Sequence, residues 1–130
     1  MRKKVFLGVL ALLMVVMFAS CKARPDASLL PEPEVEFRAI KGIDSTEVKI
    51  QVLNVPKDYF GVYWGITADY AVKDASGNVL FEKSLSNELE IAAPIYEELD
   101  DVEAGDTLTC TVTFSYEGYT TSTTVTDVVE

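Results

Sequence analysis

Histidine is absent from all 130 residues of this chain. Histidine is the side chain whose ordinary pKa lies nearest neutrality, and it is the commonest ligand of zinc and copper in proteins. Its absence excludes Ser–His–Asp triads, Cys–His nucleophile pairs and histidine-based metal sites. An enzyme built here would rely on carboxylates, and glycoside hydrolysis needs two of them placed across a cleft. An acidic-pair hydrolase is therefore the remotest of the functions we consider.

Basic residues are also scarce, since 11 lysines and arginines stand against 21 aspartates and glutamates, a formal net charge of −10. A surface of this sign repels phosphate backbones and anionic lipid head groups. Nucleic acid is therefore not an expected partner.

Long apolar runs are missing except near the N-terminus. There the basic head Met1-Arg2-Lys3-Lys4 precedes an apolar run from Val5 to Phe18, which is followed by Ala19-Ser20-Cys21. A basic head, a short apolar core and small residues before a cleavage point are typical of a secretory signal, and the run is too short to span a bilayer comfortably. With its terminal cysteine, the segment resembles the bacterial lipoprotein signal.

The resemblance implies that residues 1–20 are removed and that Cys21 becomes the first residue of the mature protein. Cys21 would carry a diacylglycerol and an acyl chain, and we expect no other cofactor. Because each buried methylene contributes about 0.8 kcal/mol, two or three chains hold a protein firmly on a membrane. The expected location is the bacterial cell envelope, at the outer membrane, with the periplasmic or surface side left open. The alternative is a plain secretory signal with a cysteine near the cut.

Cysteine is otherwise represented only by Cys110. With Cys21 lipidated, no intramolecular disulfide can form. Cys110 alternates with Leu108 and Val112 and has no basic neighbour in sequence, so we expect a buried thiol of low reactivity.

The segment after Cys21 has three prolines and no regular hydrophobic period, so we predict a tether over residues 21–33. From Glu34 to the end, apolar and polar residues alternate, as in strands with one buried face. The clearest strand is Thr107 to Tyr116, with threonines on the outer face. We predict one domain, residues 34–130, folded as an all-β, antiparallel immunoglobulin-like sandwich of about seven strands.

The other predicted strands follow the same alternation. They are centred on Val35–Ala39, Val48–Val52, Tyr59–Lys73, Val79–Phe81, Leu89–Ile95 and Tyr119–Val128, and Asp74–Asn78 is predicted to form a hairpin turn.

The stretch from Val102 to Phe114 resembles the entry into the penultimate strand of fibronectin type III and related immunoglobulin-like domains. This resemblance implies an immunoglobulin-like sandwich. Leu108 stands where that family has its corner tyrosine, so the corner hydrogen bond is not expected here.

Aromatic residues concentrate in one short segment, Tyr59-Phe60-Gly61-Val62-Tyr63-Trp64. Phe60 and Trp64 share the parity of apolar positions further along and are expected in the core. Tyr59 and Tyr63 have the opposite parity, and tyrosine anchors glycans and protein partners well. They are the predicted ligand-binding residues. The alternative, that they are ordinary surface tyrosines, stays open.

Three further features are interpreted as surface. The acidic run from Glu97 to Asp106 lacks the ligand spacing of an EF-hand and is expected to be a solvated loop, not a calcium site. The threonines after Thr107 are expected to form ordinary outer sheet surface. Asp44-Ser45-Thr46 and Asp106-Thr107-Leu108 resemble the O-glycosylation tripeptide of exported Bacteroidetes proteins, and whether either is modified stays open.

These observations predict a small, non-catalytic envelope lipoprotein that presents a binding domain from Cys21. Its partners would be the membrane, through the lipid, and an envelope protein or a glycan. The alternative is a structural subunit of an envelope or fimbria-like assembly.

Overall fold

The computed structural model describes residues 27–56 and 65–130. A turn of 3-10 helix, Ala27–Leu29, is followed by seven strands and one short helix. In chain order these are β1 Val35–Lys41, β2 Thr46–Val52, β3 Thr67–Lys73, β4 Val79–Leu85, α1 Glu88–Ala92, β5 Ile95–Leu99, β6 Thr107–Tyr116 and β7 Tyr119–Val128. No helix in these two ranges is long and apolar enough to cross a bilayer.

The strands form two antiparallel sheets, one with the order β1-β2-β5 and the other with the order β4-β3-β6-β7. Side chains of alternating parity from both sheets make one core that includes Val48, Ile50, Val72 and Phe114, all fully buried. The predicted all-β immunoglobulin-like sandwich is thus confirmed.

Alternation explains the best-predicted strands. In β6 every second residue is buried, from Leu108 to Tyr116, while the residues between them remain accessible. Cys110 lies in this buried series with no exposed surface, as expected from its neighbours. β3 confirms the predicted strand over Thr67–Lys73, and Ile66, just before it, is buried together with the apolar residues of the same parity in β3.

The predicted hairpin turn connects β3 to β4. The Asp74 carboxylate accepts hydrogen bonds from the backbone N–H of Ser76, the backbone N–H of Asn78 and the Asn78 side chain, at 2.9, 2.9 and 3.0 Å. Gly77 adopts φ 87°, a left-handed conformation that glycine reaches without strain. The β3–β4 register shifts between Val72 and Lys73, so the irregularity lies beside this turn.

The predicted strand over Leu89, Ile91, Ala93 and Ile95 is wrong. Residues Glu88–Ala92 form α1, and β5 begins only at Ile95. Asn87 caps the helix, since its side chain accepts hydrogen bonds from the backbone N–H groups of Leu89 and Glu90. β5 then uses the first residues of the acidic run, so the solvated loop begins at Asp100.

The chain packs on the sandwich before Glu34. Leu30 is 6% exposed and belongs to the core, and Pro33 is buried. The Pro31 carbonyl accepts a hydrogen bond of 2.7 Å from Thr121 Oγ1. Asn54 donates to the Glu32 carbonyl at 2.8 Å. The residues predicted as the end of the tether are therefore part of the packed domain from Leu30 onward.

The sandwich has two ends with different contents. The segment before β1, the helix α1 and the β6–β7 turn lie at one end, which we call the N-terminal end. The β1–β2 loop, the β3–β4 turn and the β5–β6 loop lie at the other, the distal end. There the last residues of the chain join the sheets, since Lys41 N–H donates to the Glu130 carbonyl at 2.9 Å and Glu130 N–H to the Ala39 carbonyl at 3.3 Å.

Candidate ligand-binding face

The residues predicted to carry function lie outside the described ranges. Cys21 precedes residue 27, and Tyr59 and Tyr63 fall between residues 56 and 65, as do Phe60 and Trp64. The lipid site and the tyrosine site therefore stay predictions. The described residues on either side of the tyrosine segment, Pro56 and Gly65, belong to the N-terminal end of the sandwich.

A shallow depression lies on the outer face of the four-stranded sheet. It is open to solvent and is lined by residues of β3, β4 and β6: Asp69, Tyr70, Ala71, Glu82, Lys83, Ser84, Thr111 and Thr113. The strand registers bring them together, because Ala71 stands between Glu82 and Thr111, and Asp69 between Ser84 and Thr113. The methyl group of Ala71 leaves room that the longer side chains around it enclose.

Hydroxyl groups continue this face across β6 and β7. Thr111 and Thr124 lie opposite each other with their hydroxyl oxygens 3.0 Å apart, and the corresponding distance between Thr113 and Ser122 is 2.8 Å. Each pair shares one hydrogen bond, so each still has accepting capacity toward solvent. The lining of the depression presents carboxylates, hydroxyls and one lysine, a set that hydrogen-bonds to polar ligands.

The depression contains few metal-ligating side chains. No group of three or more histidine, cysteine, aspartate or glutamate side chains is arranged to hold a metal ion in ranges 27–56 and 65–130. Asp69 and Glu82 are the two carboxylates that line the depression, and both are exposed.

Two ionisable side chains lie directly behind this face, in the core. Burial raises the pKa of the Cys110 thiol to about 12. Burial, and to a smaller extent the nearby Cys110 thiolate, raises the pKa of Tyr70 to about 12. Both groups are neutral at physiological pH, which fits a structural thiol of low reactivity.

The β5–β6 loop, which holds most of the acidic run, is fixed at the distal end by one carbonyl. The Val102 carbonyl accepts hydrogen bonds from Lys41 Nζ at 2.8 Å and from Thr46 Oγ1 at 3.2 Å. Thr46 is fully buried, and Val102 is 2% exposed. Ile43, in the adjacent β1–β2 loop, is 99% exposed. The acidic loop thus extends from a well-packed base.

Sequence reasoning did not find the depression. The alternation rule correctly places the threonines of β6 on the outer face, and it gives Asp69 the same parity as Tyr59 and Tyr63, away from the core. The rule does not say which strands become neighbours, so it did not unite Glu82 and Ser84 of β4 with Asp69. The short side chain of Ala71 among polar outer residues was the only local signal.

Comparison with known proteins shows a likeness in fold. No family model and no curated protein matches the chain. The FMN-binding β-glucuronidase from Facaelibacterium prausnitzii L2-6 is similar with a TM-score of 0.57 and 13% identity, over 75% of this chain and 15% of that one. Two structures of Parabacteroides merdae β-glucuronidase are also similar. The one with glycerol in its active site has a TM-score of 0.53 and 14% identity, over 74% of this chain and 13% of that one. The other has a TM-score of 0.55 and 14% identity, over 77% of this chain and 14% of that one.

The chain thus spans at most 15% of the length of these bacterial enzymes. At such low identity the likeness extends to the β-sandwich fold and no further.

Proposed function

We propose that this protein is a small envelope lipoprotein, anchored by Cys21, whose immunoglobulin-like domain binds a glycan or protein ligand without catalysing a reaction. The observation that carries the binding role is the open polar depression around Ala71. Its hydroxyls and carboxylates offer many hydrogen bonds, and its shallow, solvent-exposed shape suits reversible contact better than chemistry in a closed site. The anchor rests on the sequence Ala19-Ser20-Cys21 after an apolar run.

Binding is tested by changing the shape of the depression. An array of purified neutral glycans and envelope proteins first identifies a ligand that the wild-type domain retains. We expect Ala71→Arg to fill the depression and to abolish binding of that ligand. Thr126→Arg is the matched control, because Thr126 lies on the same outer face but does not line the depression. Equal binding by wild type and Ala71→Arg would show that the ligand does not bind in the depression. Loss of binding in Tyr59→Ala and Tyr63→Ala would then indicate that it binds at the predicted tyrosines.

The non-catalytic part has a separate test. The purified domain is incubated with p-nitrophenyl β-glucuronide, because the similar structures are named as β-glucuronidases. We expect no release of nitrophenol above that of buffer. Turnover that disappears in Asp69→Asn or Glu82→Gln would instead support the acidic-pair hydrolase.

The anchor is tested by Cys21→Ser. We expect this variant to lose labelling by a fatty-acid analogue and to leave the membrane fraction, whereas Cys110→Ser should keep both. Labelling and membrane retention of Cys21→Ser would contradict lipidation.

The alternative, a structural subunit in an envelope or fimbria-like assembly, is favoured by one observation. Among the described strands β4 is at the edge of its sheet, a position from which backbone groups can pair with a strand of another protein. Its centre carries Glu82 and Lys83, both exposed, and charges on an edge oppose strand addition. Crosslinking in intact cells separates the two roles: a stable protein neighbour captured through β4 supports assembly.

A further inference from the structure

The outer face of the three-stranded sheet brings positive charges together in a strongly acidic protein. The registers place Arg38 of β1 opposite Lys49 of β2, and Lys49 opposite Tyr96 of β5. The three side chains therefore form one row across the sheet, at neighbouring strand spacings of about 4.8 Å. We call Arg38, Lys49 and Tyr96 the cationic row.

The row places two cations directly opposite each other on neighbouring strands. Ranges 27–56 and 65–130 contain five lysines and arginines, and two of them stand directly opposite each other here. Like charges opposite each other in a sheet are destabilising. Glu36 relieves Lys49 through a salt bridge of 3.1 Å, whereas Arg38 forms no hydrogen bond or ion pair with any residue that the structure describes. A bound anion would offset this repulsion, and the Arg38 guanidinium can donate two parallel hydrogen bonds to it.

Tyr96 adds an apolar platform to the same row. Its side chain is 57% exposed, although tyrosine is a large, partly apolar residue. The registers place it on the outer face of β5, next to Lys49 of the central strand β2. An exposed, planar tyrosine beside two cations fits a sugar ring that stacks on the aromatic face while its carboxylate reaches the cations. A neutral sugar would leave the cations unused.

We propose that the cationic row binds an acidic saccharide, with a uronate ring stacked on Tyr96 and its carboxylate held by Arg38 and Lys49. This site is on the sheet opposite to the depression around Ala71, so it is a second binding surface and does not depend on the first. Acidic residues flank the row on both sides, with Glu36 on one side and the facing pair Glu47 and Glu98 on the other, so a bound carboxylate is confined to the row itself.

Titration of the full mature chain with hexagalacturonate, followed by calorimetry at low and at physiological salt, tests the proposal. We expect saturable binding that weakens with salt, and at least a fivefold loss of affinity in both Arg38→Gln and Tyr96→Ala. Lys73→Gln is the matched control, because it removes one positive charge from the outer face of the other sheet, and it should bind as wild type does. Maltohexaose, a neutral chain of the same length, should not bind.

Thermal unfolding of each variant separates loss of binding from loss of fold. Two results would overturn the proposal: absence of saturable binding to hexagalacturonate, or binding that is unchanged in both Arg38→Gln and Tyr96→Ala. Hexaglutamate is titrated in parallel. Equal affinity for hexaglutamate, with no dependence on Tyr96, would identify an acidic peptide as the ligand class and would also contradict the saccharide. Ala71→Arg leaves the cationic row intact, so it should not change binding of hexagalacturonate. Failure of the row as a binding site and failure of the depression as a binding site are therefore measured separately.

Discussion

At the scale of single residues, the most consequential polar group is the buried Thr46. Its hydroxyl donates to the Val102 carbonyl, which Lys41 also contacts, and so fixes the base of the acidic loop. Thr46→Val keeps the shape and removes the donor, and we expect it to lower the free energy of unfolding by about 1 kcal/mol. Lys41 still satisfies the carbonyl, which keeps the cost near this value.

Urea denaturation measures the effect of Thr46→Val. Thr126→Val is the control, since Thr126 is exposed on the outer face, and its effect should stay within about 0.5 kcal/mol. Equal effects of the two substitutions would mean that the bond to Val102 contributes nothing to stability.

The buried Cys110 and Tyr70 predict how stability depends on alkaline pH. Burial raises the pKa of Cys110 from 9.0 to about 12, and the pKa of Tyr70 from 10.0 to about 12. A raised pKa means that the folded state holds the proton more tightly, so this contribution is complete below about pH 9 and is lost as pH rises toward 12. We expect the urea midpoint to fall over this interval, and to fall less steeply in Cys110→Ala.

The same burial predicts that Cys110 does not react with a water-soluble disulfide reagent in the native protein and reacts fully in urea. Rapid labelling of the native protein at neutral pH would contradict the closed core. A pH dependence of Cys110→Ala as steep as that of wild type would show that the thiol does not titrate in this way.

At the scale of elements, the segment before β1 behaves as part of the sandwich. Leu30 is buried in the core, whereas its neighbour Leu29 is 70% exposed. We expect Leu30→Ala to destabilise the domain by about 2–3 kcal/mol, because it removes buried methyl groups and leaves a cavity. Thermal or urea unfolding measures the change.

Leu29→Ala is the matched control for Leu30→Ala, with the same substitution one position earlier, and should alter stability by less than about 0.5 kcal/mol. Similar small effects of both would show that the segment does not pack in solution. The segment would then act as tether up to Glu34.

The helix α1 shows where alternation alone misleads. Leu89, Ile91, Ala93 and Ile95 alternate as a strand would, yet Leu89 is 72% exposed and only the two isoleucines are buried. Asn87 followed three positions later by Glu90 is a helix-start signal that competes with alternation, and five residues are too few for the helical period to be recognised. The helix packs against β2 and β4, a tertiary contact that a local pattern does not contain.

Strands with a strictly alternating pattern were predictable, and their pairing was not. β6 and β7 combine alternation with threonine, so their bounds follow from sequence. The cationic row, in contrast, joins residues of β1, β2 and β5 that are far apart in the chain. Arg38 and Tyr96 have the largest separation in sequence. Their meeting depends on the order of strands in a sheet, which is decided by packing of the whole domain.

At the scale of the whole molecule, the packed segment determines how the proposed anchor presents the domain. Leu30 lies nine residues after Cys21, and nine residues of fully extended chain span at most about 30 Å. The N-terminal end, with α1 and the β6–β7 turn, would therefore face the bilayer. The distal end, with Ile43 and the acidic loop, would point away, in agreement with the repulsion between acidic side chains and anionic head groups.

Energy transfer from a fluorophore on the lipidated protein to an acceptor dye in vesicles measures this orientation. Leu29→Cys and Ile43→Cys provide exposed labelling sites at the two ends, and the buried Cys110 should remain unlabelled. The ten residues of β6 make the sandwich about 30 Å long. Transfer should therefore be stronger from position 29 than from position 43, and absent from both in the Cys21→Ser background. Equal transfer from the two positions of the lipidated protein would mean that the domain lies along the membrane or rotates freely. The short tether to the packed Leu30 would then not orient the domain.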